Sequence, residues 1–340
     1  MSKKKYIIPI FIPHRGCPHD CSFCNQKRIA GNIKEMNGKD IEIQINEYLN
    51  LYPKTTKKEI AFYGGSFTGI PINKQKELLQ PAYKAKVNGI IDDIRISTRP
   101  DYIDTNILKI LKDYGVTIIE LGVQTTDDEV LKYNKRGHTK SDVAKAVATI
   151  KKEGFKLGLQ MMLGLAGDSV TAIDNTVKDF INWKPNFVRV YPTLVIKDTF
   201  LEELFNTGNY IPYTLEEAIT IAKKVLIQFQ REGISVIRVG LQTTEEITYG
   251  KGVVAGPYHP AFREMVETEI YKEKIEGLLK DKKVIFNKSI VVHCNTREAS
   301  RVSGYCQSNK NYFLNKYNLK SMKIKSTYQK DPDQLEIEVF

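Results

Sequence analysis

Residues 156–193 read KLGLQMMLGLAGDSVTAIDNTVKDFINWKPNFVRVYPT, and this stretch decides the fold. It opens on an apolar run (156–164) and passes through a Gly-rich loop, LGLAGD (163–168). A helical pattern follows over 170–182, and a second apolar run closes it (187–193). Strand, crossover helix and strand form one βαβ unit, which sets the two strands parallel. The same unit recurs in both directions. YIIPIFI (6–12), EIAFYGG (59–65), DIRIST (93–98) and VTIIELGVQ (116–124) read as earlier strands, and ISVIRVGLQ (234–242) as a later one. Helical patterns cover 39–51, 73–87, 104–114, 127–133, 140–153, 199–206 and 215–231. Strict alternation implies a parallel sheet with helices outside it. The count predicts an α/β fold, a partial (β/α)6-type TIM barrel.

In such barrels the active site lies at the C-terminal ends of the strands. There the sequence puts its polar and Gly-rich clusters. HRGCPHDCSFCN (14–25) follows the first strand, GGSFTG (64–69) the second and STRPD (97–101) the third. GVQTT (122–126), LGLAGD and YPT (191–193) follow the next three. All six open on one mouth.

The first of these loops carries Cys17, Cys21 and Cys24, spaced C-x3-C-x2-C. The chain has 5 cysteines, an odd number, and Cys294 and Cys306 lie far downstream. That is not a disulfide framework; such a cluster in a reducing compartment points to metal binding or catalysis. A structural zinc takes four protein ligands, so His14 or His19 would have to supply the fourth. Iron–sulfur clusters are ordinarily held by four thiolates, so three would leave one iron open to a small molecule. The residues alone leave both readings standing.

The motif in this setting resembles the radical S-adenosylmethionine (radical SAM) superfamily. The resemblance implies a [4Fe–4S] cluster on Cys17, Cys21 and Cys24 whose open iron chelates SAM. It also implies reductive cleavage of SAM to a 5′-deoxyadenosyl radical that takes hydrogen from a substrate, with flavodoxin or ferredoxin as the one-electron reductant. GGSF (64–67) sits where the superfamily has its Gly-Gly-Glu-type motif, so Gly64, Gly65 and Ser66 are implied SAM contacts. Ser66 replaces the usual Glu. STRPDYI (97–103), IELGVQTTDDEVLKYNKRGHT (119–139) and YPTLVIKDT (191–199) resemble the radical SAM domain of the Elongator subunit 3 family, which modifies tRNA wobble uridine. They share a pattern with the oxygen-independent coproporphyrinogen oxidases too. By that likeness Ser97, Gln124 and Arg136 contact SAM, and Gly164 opens the loop under the adenine. Tyr191, at the mouth of the sixth strand, is the candidate catalytic hydrogen relay. The acetyltransferase domain of the Elongator family has no counterpart expected in the residues after 245, so its acetyl-CoA chemistry is not carried over. HPAFRE (259–264) belongs to neither family, and its His259 and Arg263 are candidate substrate contacts.

Net charge is +11, and residues 281–325 hold 10 Lys/Arg against Asp281 and Glu298, or +8. A charge so localised is a footprint for a polyanion, most readily nucleic acid. Residues 288–326 read as strand, two helices and strand, with Gly304 at the turn between the helices. That order resembles a degenerate KH module, in which Gln307 stands where the second loop glycine belongs. Lys288, Arg297, Arg301, Gly304, Lys310 and Lys316 are its candidate RNA contacts, with tRNA the RNA in view. The expected organisation is a barrel over 1–245, a connecting helical segment over 246–280 and a basic α/β module over 281–340. The apolar N-terminal run is too short for a secretory signal, and nothing is long enough for a membrane span, so a cytoplasmic protein is expected. Two alternatives accompany the RNA-directed enzyme. One is a radical SAM enzyme acting on a small molecule such as a porphyrinogen; the other is a non-enzymatic RNA-binding protein with a structural metal knuckle.

Overall fold

The computed structural model describes residues 5–12, 21–25, 36–53, 56–241, 247–280 and 285–340. The chain forms two compact units: Met1–Thr214 with Gln228–Tyr258, and Leu215–Ile227 with His259–Phe340.

The first unit holds strands β1 (Lys5–Ile12), β2 (Lys57–Gly64), β3 (Asp93–Thr98), β4 (Ile118–Gln124), β5 (Lys156–Leu163), β6 (Phe187–Pro192), β7 (Val195–Ile196), β8 (Ser235–Val239) and β9 (Val253–Ala255). Seven of them form one sheet in the order β1-β2-β3-β4-β5-β6-β8, and every pairing in it is parallel. This is the curled sheet of a partial TIM barrel. β7 and β9 make a separate short antiparallel ladder that the sequence reading did not anticipate.

Period-2 alternation sorts each strand into two faces. One face is apolar: Ile60 and Phe62, Ile94 and Ile96, Ile119 and Leu121, Leu157 and Leu159, Val188 and Val190 are all buried. Helices supply matching stripes, such as Val143, Ala146, Val147 and Ile150 on Lys140–Lys152, spaced i, i+3, i+4, i+7. A capping box from Thr139 and Asp142 starts that helix cleanly.

The opposite phase is ionic. Glu59 on β2, Arg95 on β3, Glu120 on β4 and Arg189 on β6 form a chain of contacts: Arg95 Nε to Glu59 at 2.6 Å, Arg95 Nη1 to Glu120 at 3.0 Å, and Arg189 Nε to Glu120 at 2.9 Å. Lys5 on β1 also pairs with Glu59, and Gln160 on β5 donates to Glu120. Both glutamates are fully buried, so each needs its cations. Burial alone would push Arg95 and Arg189 toward the neutral form; the adjacent carboxylates override it and hold both guanidiniums charged. Under Arg95 lies the Phe187 ring, 4.8 Å away. That ring fits only because residue 158 is glycine: a Cβ there would stand 2.3 Å from it.

The second unit runs from helix Phe262–Lys280 through β10 (Ser289–Asn295), short helices Ala299–Ser303 and Ser308–Lys316, β11 (Ser321–Thr327) and β12 (Glu336–Val339). Its sheet has the order β11-β10-β12, with β11 parallel and β12 antiparallel to β10. The strand–helix–helix–strand order of the sequence reading is present, extended by β12. Tyr271, Ile275, Leu279, Ile290, Val292, Val302 and Phe313 build its core. Cys294 is buried in that core, which pushes its thiol up. Cys306 is exposed.

Candidate active site

At the C-terminal ends of β2 to β6 the described residues enclose a cavity of about 320 Å³, within the range of small-molecule sites. Cys21, Cys24, Gly64, Gly65, Ser66, Ser97, Gln124, Arg136 and Tyr191 all line it. Nine positions separated by up to 170 residues of sequence thus meet at the mouth expected from the sequence. Cys17, His14 and His19 lie outside the described residues. Gly164 sits at the end of β5, where its amide donates to Asp168 (3.0 Å) and its carbonyl accepts from the Tyr210 hydroxyl (2.7 Å). It is not among the cavity-lining residues; its missing side chain makes room for the Tyr213 ring, 2.6 Å from where a Cβ would stand.

The cysteine segment is clamped from several sides. Ser22 donates its hydroxyl to Asn134 Oδ1 (2.6 Å) and its amide to the Asn134 carbonyl (3.1 Å). The Leu201 amide donates to the Ser22 carbonyl (2.7 Å), and Asn25 Nδ2 to the Lys197 carbonyl (3.0 Å). Cys21 is buried, and Arg136 Nη1 donates to its sulfur at 3.2 Å. A guanidinium donor on a cysteine sulfur is a contact of the kind that tunes a sulfur-bound metal centre. Arg136 is itself held: its Nη2 donates to the Gly122 carbonyl (2.5 Å), and its own carbonyl accepts from Arg99.

Backbone geometry places the other side chains. Gly64 has φ +114°, and a Cβ there would lie 2.1 Å from the Ile12 carbonyl oxygen. Only glycine lets β1 and β2 end this close, just before the cysteine segment. Gln124 also has positive φ (76°), at a register shift where β4 bulges against β5. Bulges re-aim side chains beside active sites. Ser66 is engaged, with its hydroxyl 2.7 Å from Thr98 Oγ1 and accepting from the Arg99 amide (3.2 Å). It therefore ties the β2 loop to the β3 loop.

His138 reads from sequence as a polar loop residue. It is 5% exposed, and burial, with Arg136 and Arg99 nearby, pushes its pKa down to about 3. Sequence reasoning also missed Tyr63, Gln160, Met162 and Arg189, which line the cavity from β2, β5 and β6. The signal was the strand phase: Tyr63 follows Glu59 and Ala61, and Tyr191 follows Arg189, at intervals of two. His259 and Arg263 fall in the second unit, where His259 Nδ1 accepts from the Ala261 amide (3.0 Å) and Arg263 pairs with Glu267 (2.9 Å).

Of the candidate RNA contacts, Lys288 and Arg297 are exposed and Lys310 is half-buried. Arg301 pairs with Glu267 (2.8 Å) and Lys316 with Glu276 (2.5 Å). Gly304 is buried, with φ +81°, and a Cβ there would lie 2.7 Å from the Asn309 amide nitrogen. Exposed Lys323 and Lys325 alternate along edge strand β11.

Residues 11–180 match the Radical SAM superfamily and residues 185–272 match the Radical_SAM C-terminal domain. The chain belongs to the radical SAM superfamily, and it is an enzyme of that class with a [4Fe–4S] cluster and SAM as cofactors. The residues present fit that pair. Two thiols of the motif reach the cavity, one with a guanidinium on its sulfur. Ser97 Oγ, Gln124 Oε1 and Arg136 Nε are buried at the cavity with no hydrogen-bond partner among the described residues. Such orphaned polar atoms suit a polar ligand.

Among its relatives, a tRNA uridine(34) acetyltransferase of Methanocaldococcus jannaschii is 32% identical over 200 residues, 52% of this chain and 37% of that protein. Uncharacterized protein MJ0486 of the same organism is 33% identical over 231 residues, 63% of this chain and 68% of that protein. The solved structure of Methanocaldococcus infernus Elp3 superposes with a TM-score of 0.62 at 23% identity, covering 81% of this chain and 64% of that one. The chain thus spans little more than a third of the acetyltransferase's length.

Proposed function

We propose that this enzyme modifies RNA, with a nucleotide of tRNA as its substrate. Cys17, Cys21 and Cys24 hold the cluster, and Gly64, Gly65, Ser66, Ser97, Gln124 and Arg136 hold SAM. The observation that carries the reading is the Arg136 contact with the Cys21 sulfur, beside orphaned Ser97 and Gln124. It joins the thiols and the polar ligand contacts in one cavity. When bound, cluster and SAM supply hydrogen abstraction from an unactivated C–H bond; the chain supplies binding and orientation. Arg136 presents a donor to sulfur. Gln124, turned by the bulge, offers a carbonyl oxygen to the cavity. Phe23, Leu194, Ile196 and Ile247 give an apolar wall that excludes water. Tyr191 is the candidate hydrogen relay; burial pushes its phenol up, so the proton stays on the oxygen at neutral pH.

Substrate choice is supported by the tRNA-directed relatives and by the basic second unit. There Lys288, Arg297 and Lys310 are joined by Lys323 and Lys325 as contacts to phosphate, while Arg301 and Lys316 share carboxylates. A flavodoxin- or ferredoxin-type donor supplies the electron, in the cytoplasm. The test is anaerobic turnover of reconstituted protein with SAM, dithionite and total tRNA, followed by nucleoside mass analysis. A mass shift in one nucleoside, absent when Cys17, Cys21 and Cys24 are alanine, is the expected result. 5′-Deoxyadenosine release with no change in any tRNA nucleoside would defeat the RNA assignment, and a cluster-free protein would defeat the radical reading.

A further inference from the structure

The ionic chain across the barrel ends inside the cavity, and the way it ends is informative. Glu120 is fully engaged: Oε1 accepts from Gln160 and lies 2.9 Å from Arg189 Nε as an ion pair, and Oε2 accepts from Arg95. The rest of the Arg189 guanidinium turns to neutral groups. Nη1 donates to the Tyr191 hydroxyl (3.0 Å) and Nη2 to the Tyr63 hydroxyl (3.2 Å), with the guanidinium carbon 5.4 Å from the Tyr63 ring centroid.

Guanidinium nitrogens only donate, so both tyrosine oxygens act as acceptors toward Arg189. Their own hydroxyl protons are then directed elsewhere, and all three side chains line the cavity. The lining agrees. Among the described residues around the cavity Arg99, Arg136 and Arg189 are cations and none is a carboxylate. A cation ringed by hydroxyl donors in a desolvated cavity is the complement of an anion.

We infer that Arg189, flanked by Tyr63 and Tyr191, is the receptor for an anionic group of the substrate, a carboxylate or a phosphate. It rests on the proposed function only in taking this cavity as the place where the substrate sits. Arg189 is a specificity-determining residue on β6, apart from the Arg136 and Gln124 contacts assigned to SAM.

The test measures binding by equilibrium dialysis to the reconstituted protein, which separates it from turnover. Two probe pairs distinguish the source of the anion: uridine 5′-monophosphate against uridine, and coproporphyrin III against its tetramethyl ester. The expected result is a preference of about 10- to 100-fold for the anionic member of one pair, as for a hydrogen-bonded charge pair. Arg189→Gln should abolish the preference and Arg189→Lys should keep part of it. SAM binding should be unchanged in both variants. No preference in either pair, or a preference that survives Arg189→Gln, overturns the inference. So does a parallel loss of SAM binding, because Arg189 would then serve the cofactor. A readout on the unaltered protein covers the case of a variant that does not fold. Phenylglyoxal labelling of Arg189, mapped by peptide mass, should be blocked by the preferred anion and not by its neutral partner. Equal labelling, or none, refutes it. Failure of SAM cleavage would count against the radical reading and leave this result standing.

Discussion

Glu120→Gln is the most telling perturbation of the barrel, because it removes one charge and almost no volume. Breaking a buried ion pair from one side costs about 3–5 kcal/mol, since the partner charge is left uncompensated. Here Arg95 keeps Glu59 at 2.6 Å, whereas Arg189 keeps only the two tyrosine hydroxyls. One guanidinium, not two, is therefore stranded, and the expected loss lies at the lower end, about 3 kcal/mol. Against a total of about 5–15 kcal/mol for a folded domain, that is a large fraction. The assay is well placed. The chain has 1 tryptophan, Trp183, packed 6.0 Å from the Phe180 ring in the first unit. Urea unfolding followed by its fluorescence reports the unit that contains Glu120. With a slope of about 3 kcal/mol/M, the midpoint should fall by about 1 M. Arg189→Gln alone should cost less, since Glu120 retains Arg95 and Gln160. The double variant should recover part of the loss, with a coupling of about 1–3 kcal/mol. An unchanged midpoint, or strictly additive losses, would show that the chain of ions is not what holds the interior together.

Arg136→Gln removes the donor from the Cys21 sulfur and should lower 5′-deoxyadenosine release about 10- to 100-fold, the usual cost of removing a partner from a metal ligand; wild-type release would contradict it. The acid limb of stability carries two opposed groups. His138, held to about 3 by burial and then by Arg136 and Arg99, has a folded pKa below its unfolded one, so its contribution is present above about pH 6.5 and is lost as pH falls toward 3. Asp168, raised to about 6 by burial against the backbone amides of Gly164, Ser169 and Leu165, contributes below about pH 4 and loses that as pH rises through 6. Between pH 4 and 6 the two slopes oppose each other. His138→Leu should make stability, read by Trp183, fall with rising pH in that window, and Asp168→Asn should make it rise; identical profiles would rule the shifts out. Replacing Lys323 and Lys325 with glutamine should weaken tRNA binding and reduce its log–log salt slope by about 2, one for each phosphate no longer neutralised; an unchanged slope would place the RNA elsewhere.

Much of this architecture is legible in the sequence. The strand and helix positions of the barrel follow from periodicity, and one mouth follows from the polar clusters at the strand ends. Gly64 and Gly65 stand out as glycines, although the reason for Gly64, the approach of the Ile12 carbonyl, is a tertiary fact. Gln124 is visible by resemblance, but its positive φ comes from a bulge that only pairing with β5 creates. The ionic interior escapes a reading of the chain for a physical reason. Each strand contributes only one or two charges in the polar phase, which looks the same as a half-solvated strand until the sheet curls. β7, β9 and β12 are too short, or too weakly patterned, to rise above the surrounding loops. In the second unit the sequence places the helices well but cannot see that Glu267 and Glu276 already occupy Arg301 and Lys316.

Among the described residues β8 does not pair back to β1, so no ring of backbone hydrogen bonds fixes the girth of this barrel. Its width is gauged by side-chain reach, above all by Arg189 on β6 extending across the lumen to Tyr63 on β2. A caliper made of one long side chain, held at its head by Glu120 and Tyr63, can be reset by a single codon without redrawing the scaffold. Members of this superfamily that differ there would be expected to admit guests of different breadth while keeping the same walls.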